Sequence, residues 1–362
     1  MALRRRSTIA LAISLAAALA LSGAELLSDA AHASTVSPES PSVASQVRRN
    51  VTFVLPPKAP RTLFIDSRSV DAPSPDEFQI TYADGNFTLS YRRTQGGPIT
   101  SQYTLTVRGL VEWNDTHGDG QMEDGSIVAY TPMGPGAFGR FAIQHSQRTT
   151  GDGIAVNSFV IVSNRGDLTL NLTITDGFLA LPSGQNLTPM EAKLTLDIFH
   201  NMTMPDTHLS LQLGLSTDQR ISLENRSWDD LNDFSSDDRA LNVSNEVGSA
   251  SSAAFFAWSN SASVNGQPGP VTTSGPDVNG TSGDYDFYLS YARPTADLQL
   301  RVVHDPAMGV VSAAYLSTLH PGPGPALPFV GDALLYGVSL AGIAALLGAT
   351  AILVNRRRRR DL

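Results

Sequence analysis

The stretch Leu168-Thr-Leu-Asn-Leu-Thr-Ile174 carries an apolar residue at every second position, and the same two-residue period recurs along most of the chain. It is repeated at residues 51–55, 77–82, 86–91, 102–107, 159–162, 193–198, 209–213, 287–291 and 298–302. Successive side chains on a strand point to opposite faces, so each segment reads as a strand with one face dry and one wet. Gly, Asp, Asn and Pro punctuate the segments, and Ala83-Asp84-Gly85 between two of them has the chemistry of a hairpin turn. Helical periodicity is scarce, its best candidate being a short piece near residues 228–234. The expected fold is all-β, with antiparallel sheets packed as a sandwich-like body. The chain has no cysteine, so core burial rather than disulfides must hold that body together.

The two ends follow different rules. Arg4, Arg5 and Arg6 precede an apolar run over residues 9–21 and a small-residue site, Ala31-His32-Ala33, which together read as a secretory signal over 1–33. Residues 34–47, rich in Ser and Pro, read as a flexible leader. Residues 333–354 carry no charge and are long enough to cross the roughly 30 Å hydrocarbon core of a bilayer as a helix. Arg356 to Arg360 follow at once and place that end in the cytoplasm, a type I single-pass topology with the β-rich region of 48–318 outside the cell membrane. A Pro/Gly stalk over 319–332 separates the two, and 355–362 form a basic tail. The β-rich region is expected as one large domain or two packed ones, with any seam in the acidic stretch 229–246. Leu327-Pro-Phe-Val-Gly331 before the apolar span also resembles a cell-wall sorting signal, with Val330 where the processing bond needs a threonine.

Net charge is −9, and eight of the 25 basic residues sit in the two terminal clusters, so the central region is more acidic still. Such a surface repels the phosphates of nucleic acid and anionic lipid and favours cations or basic surfaces; the partner expected of the exported region is an extracellular protein or carbohydrate. Nine of 16 asparagines open an Asn-x-Ser/Thr triplet. Asn50, Asn86, Asn114, Asn171, Asn201, Asn225, Asn242 and Asn279 are the expected glycan sites of a glycoprotein, whereas Pro189 after the triplet of Asn186 disfavours that one.

Chemistry is harder to find. In Trp113-Asn-Asp-Thr-His-Gly-Asp-Gly-Gln-Met-Glu-Asp-Gly-Ser126 the acidic residues and Gly120 partly follow the order of a calcium loop. That nominates Asp115, Asp119 and Asp124 as ligands and Ca2+ as the one cofactor to consider, although His117 and Ser126 replace two oxygen ligands; the alternative is an Asp/Gly-rich connection between strands. The aspartates of 229–238 read as a solvated loop rather than the paired acid and base of a glycoside hydrolase. His200 and His208 flank Asp206, but zinc wants a third ligand. The motifs of metalloproteases, serine hydrolases and phosphate-binding loops are absent.

The segments 111–120, 187–198, 255–258 with Asn265-Gly266, and His304-Asp-Pro306 together resemble a family of poorly characterised extracellular, membrane-anchored β-rich proteins. The family is found in animals, protists and archaea, and some members are reported in coral skeletal matrix. The resemblance implies a surface ectodomain and no catalytic residue. A non-enzymatic surface module for adhesion, ligand binding or envelope structure is therefore expected, ahead of a polysaccharide hydrolase or a sorted cell-wall protein.

Overall fold

The computed structural model describes residues 48–59, 61–70, 75–180, 186–225, 239–244, 252–275, 283–293 and 297–312. The signal, leader, stalk, apolar span and tail expected from the sequence lie outside these residues, as do Asn279 and the segment 226–238. Among the described residues no helix is long and apolar enough to cross a membrane.

Among the described residues twenty-one strands follow one another. They are β1 (Arg49–Val54), β2 (Thr62–Ser69), β3 (Glu77–Ala83), β4 (Asn86–Arg92), β5 (Ser101–Trp113), β6 (Ile127–Pro132) and β7 (Gln144–Thr149). Next come β8 (Ala155–Val162), β9 (Leu168–Thr175), β10 (Leu179–Ala180), β11 (Asn186–Leu187), β12 (Glu191–Asn201), β13 (His208–Thr217) and β14 (Arg220–Asn225). The last are β15 (Arg239–Ser244), β16 (Ser252–Trp258), β17 (Ser261–Val264), β18 (Gln267–Ser274), β19 (Gly283–Tyr291), β20 (Gln299–His304) and β21 (Ala307–Ser312). Every ladder is antiparallel, and apart from the small β10–β11 pair the strands form one continuous 19-stranded sheet. The all-β, antiparallel expectation holds.

That sheet folds over on itself in two layers. One layer runs β1-β2-β3-β4-β5-β13-β19-β18, with β6 beside the distal half of β5. The other runs β7-β8-β9-β12, then β20 and β21 end to end along the far edge of β12, with β16, β15 and β14 continuing from β21. The β17–β18 hairpin joins them, because β17 pairs with β20 while the end of β18 pairs with β19. Between the layers lies one apolar cluster that takes its residues from both, including Phe78, Phe87, Tyr103, Leu172, Leu211, Phe256, Trp258 and Phe287. Each large side chain so buried contributes roughly 1.5–3 kcal/mol. The Tyr103 hydroxyl crosses the gap to donate to the Phe255 carbonyl at 2.6 Å.

Turn chemistry matches the expectation at Asp84-Gly85, where φ is 48° and 83° and two residues link β3 to β4. An added Cβ on Gly85 would also sit 3.0 Å from the Phe138 ring. Asn265-Gly266, with φ 51° and 78°, closes β17 onto β18 in the same way. Within the acidic stretch 229–246, residues 239–244 form β15, with Ala240, Leu241 and Val243 buried.

β5 departs from simple alternation. Tyr103, Leu105 and Val107 face the core, but the register with β13 shifts between Gln212 and Leu213, leaving Arg108 as the extra residue of a β-bulge. Beyond it the parity inverts. Leu110 and Glu112 face inward, and Trp113 lies on the outer face, fully buried, with its indole N–H donating to Ser210 Oγ at 2.7 Å.

Candidate functional site

The bulge brings together residues that lie far apart in sequence. Glu112 is 2% exposed and meets His200, which the alternation of β12 turns inward from the opposite layer. His200 Nε2 lies 2.9 Å from Glu112 Oε1. The other oxygen, Oε2, accepts the Thr203 N–H at 2.8 Å and the Thr203 hydroxyl at 2.7 Å. Desolvation pushes the Glu112 carboxyl up, but the bonds from Thr203 and His200 outweigh it and hold the group below the usual carboxylate range.

On the outer face of the same strand, the His208 ring stacks on Trp113 with centroids 4.9 Å apart. Burial lowers the affinity of His208 for a proton and Arg293 adds to this, while the charge of Asp115 works against it. The Arg293 guanidinium donates to the Met204 carbonyl at 3.1 Å and the Thr207 carbonyl at 3.1 Å, fixing the turn between β12 and β13. Asp115 of the expected calcium loop thus lies near His208, while His200 meets Glu112 on the inward side of β5.

The loop itself is built as a strap. It leaves β5 after Trp113 and reaches β18, where the Thr272 hydroxyl donates to the Gly120 carbonyl and the Met122 N–H donates to Ser274 Oγ at 2.6 Å. Asp115 organises it: Oδ1 accepts the Gly118 N–H at 2.6 Å and Oδ2 the Gly120 N–H at 2.8 Å. Desolvation raises the Asp115 carboxyl, yet these backbone bonds and nearby His208 bring it below its usual value. Both glycines have positive φ, 72° and 71°, which is why this sequence turns here. Asp119 accepts the Gln121 N–H at 3.0 Å. Asp124 starts a one-turn 3-10 helix over Asp124–Ser126, and its side chain lies outside the described residues. Among the described residues no group of three or more His, Asp or Glu is placed to hold a metal ion. The carboxylates of Asp115 and Asp119 act as turn acceptors.

A second polar inclusion lies at the end of β20. His304 Nε2 is 2.9 Å from the Ser259 carbonyl, an acceptor only, so that nitrogen carries the proton. Nδ1 then accepts from the Tyr291 hydroxyl at 3.3 Å. Burial pushes the imidazole down to about 4. Beside it, Ser261, Ser263 and Asp305 help line an open groove of about 440 Å³, and Asp305 is paired with Lys193 at 3.0 Å.

The structure sorts the triplet asparagines by access. Asn50, Asn114 and Asn201 are exposed. Asn86 and Asn171 are half-buried, and the Asn86 amide donates back into its own turn at Ala83. The side chain of Asn225 lies outside the described residues. Asn242 is 7% exposed on a strand paired along both edges, so a glycan there does not fit the folded chain.

Glu112 and His304 were not singled out as site residues by sequence reasoning. The available signals were a Glu flanked by Val111 and Trp113, and an alternation through Leu300 and Val302 that reaches His304 two residues on. No protein-family model matches the chain, and no curated protein matches it.

Proposed function

We propose that the chain is a non-enzymatic surface module, exported by residues 1–33 and tethered by residues 333–354 as a type I single-pass glycoprotein of the cell membrane. Its described β-body acts by presenting ligand-binding surfaces to an extracellular protein or carbohydrate. The observation that carries the reading is the hydrogen bonding of Glu112. A carboxylate that orients an imidazole is half of a nucleophilic triad, but a nucleophile must donate its proton to the imidazole. The Thr203 hydroxyl donates to the carboxylate instead. Asp115 and His304 are likewise satisfied by the fold that surrounds them. The segments that resemble extracellular membrane-anchored proteins fall on β5 and its strap, β12, β16 and the β20–β21 turn, and that resemblance supports the same placement.

Protease shaving of intact cells that carry the full chain, tagged after Leu362, is the test. The expected result is loss of the β-rich region with retention of a small tagged fragment in the membrane. A fully protected chain contradicts export, and a mature protein without the tag favours the sorted cell-wall alternative. Release of reducing ends from a polysaccharide panel by the purified protein would place a hydrolase ahead of a binding module.

A further inference from the structure

Among the described residues, Asn201 is the only exposed triplet asparagine with an aromatic residue two positions before it, in Phe199-His-Asn-Met-Thr203. Residues i and i+2 of a strand share a face and stand about 6.5–7 Å apart. The core-facing members of β12 are Ala192, Leu194, Leu196 and Ile198, so Phe199 and Asn201 both point outward. Phe199 is 47% exposed, an uncovered ring between Asp197 and Asn201, its polar neighbours on the outward side of β12.

The backbone beneath the pair is pinned at every step. The Phe199 N–H donates to the Asp167 carbonyl at 2.9 Å, the Met202 N–H to the Leu298 carbonyl at 2.7 Å and the Thr203 N–H to buried Glu112 at 2.8 Å. Across the ladder, Phe199 faces Arg301, whose guanidinium is tied to Asp197 by bonds of 2.9 and 2.8 Å. Ring and amide are therefore held in a fixed relation, with the cation beside the ring already engaged elsewhere.

We propose that Phe199 is the platform for an N-linked sugar on Asn201, the first pyranose folding back so that its axial C–H face covers the ring. The proposal rests on the reading of the chain as an exported glycoprotein. Transfer comes from a lipid-phosphate-linked oligosaccharide. The anomeric C1–O bond breaks, the C1–N bond to Asn201 Nδ2 forms, and the amide loses one proton as the phosphate departs with the bonding pair. Aromatic faces gain from such contact beyond the area they cover, and the pinned backbone removes most of the ordering cost. The Glu112 cluster thereby acquires a second consequence, because it fixes the strand end on which the sugar sits.

The experiment uses the full chain purified from an N-glycosylating host, as four proteins: unaltered, Phe199→Ala, Asn201→Gln and both. Mass spectrometry of the peptide containing Asn201 is read first, and thermal midpoints second. The expected result is a sugar on Asn201, and a drop for Phe199→Ala that is roughly 2–4 °C larger in the glycosylated background than in Asn201→Gln. Enzymatic removal of the glycan from the native protein replaces Asn201→Gln if that variant is not recovered. An equal drop in both backgrounds overturns the platform and leaves the glycoprotein reading intact. An unmodified Asn201 overturns both at this position.

Discussion

His200 and His304 point inward from the same layer, at the ends of β12 and β20, yet their partners differ in kind. His200 meets a carboxylate whose other oxygen is filled by Thr203, whereas His304 meets a hydroxyl and a carbonyl. The first arrangement keeps a negative charge inside the body by surrounding it with donors. The second keeps an imidazole neutral by offering its N–H an acceptor and its bare nitrogen a donor. Burial penalises an unpaired charge or polar group, and at these two positions the fold meets that cost by completing the bonds. Completed bonds fix the two layers at these points.

The comparison breaks most sharply at Glu112. Replacement by Ala strands the Thr203 N–H and the His200 ring, and denaturant unfolding of the purified protein is expected to show a loss of about 3–5 kcal/mol. A loss under about 1 kcal/mol would mean that the carboxylate is not a framework group. Next in size is the acid response of His304. In the unfolded chain a histidine takes its proton near 6.5, and in the fold His304 takes it only at about 4. Between those values the unfolded state binds more protons, so stability falls as pH drops through that window. The total loss is roughly 3 kcal/mol once pH is below both. Thermal melts from pH 7 to 4 should show this fall, and His304→Gln should flatten it; an unchanged slope in the variant assigns the acid response elsewhere. The depressed Glu112 carboxyl adds a further loss at lower pH, with the same sign.

The strap separates a turn from a metal site with smaller effects. Asp115→Ala removes acceptors from two backbone N–H groups and is expected to cost about 1–2 kcal/mol, while Asp119→Ala, with one exposed bond, costs at most about 0.5 kcal/mol. Melts with added calcium and then with chelator should coincide. A midpoint that falls with chelator, and stops responding in Asp119→Ala, would assign the strap to calcium.

Legibility followed the same physics. Strands with one dry and one wet face, such as β3, β4, β9 and β12, were readable from their two-residue period. β15 and β16 were not, because they are buried on both faces and read as short apolar runs, while Pro268, Gly269 and Pro270 hid β18. β7 was hidden for the opposite reason, since Gln144–Thr149 is exposed almost throughout. Asp115 and the two histidines were visible as residue types. Glu112 was not, because the bulge at Arg108 inverts the alternation that would have placed it outside. Local pattern sees faces; it does not see an extra residue that exchanges them.

A double-mutant cycle joining Glu112→Gln and His200→Gln, read by equilibrium unfolding of the purified protein, tests most directly the claim that the inward-facing polar groups are framework. The predicted coupling between the two positions is about 1–3 kcal/mol, as for groups that share one hydrogen-bonded network. Losses that simply add, within about 0.5 kcal/mol, would contradict it and show that Glu112 and His200 do not act as one framework unit.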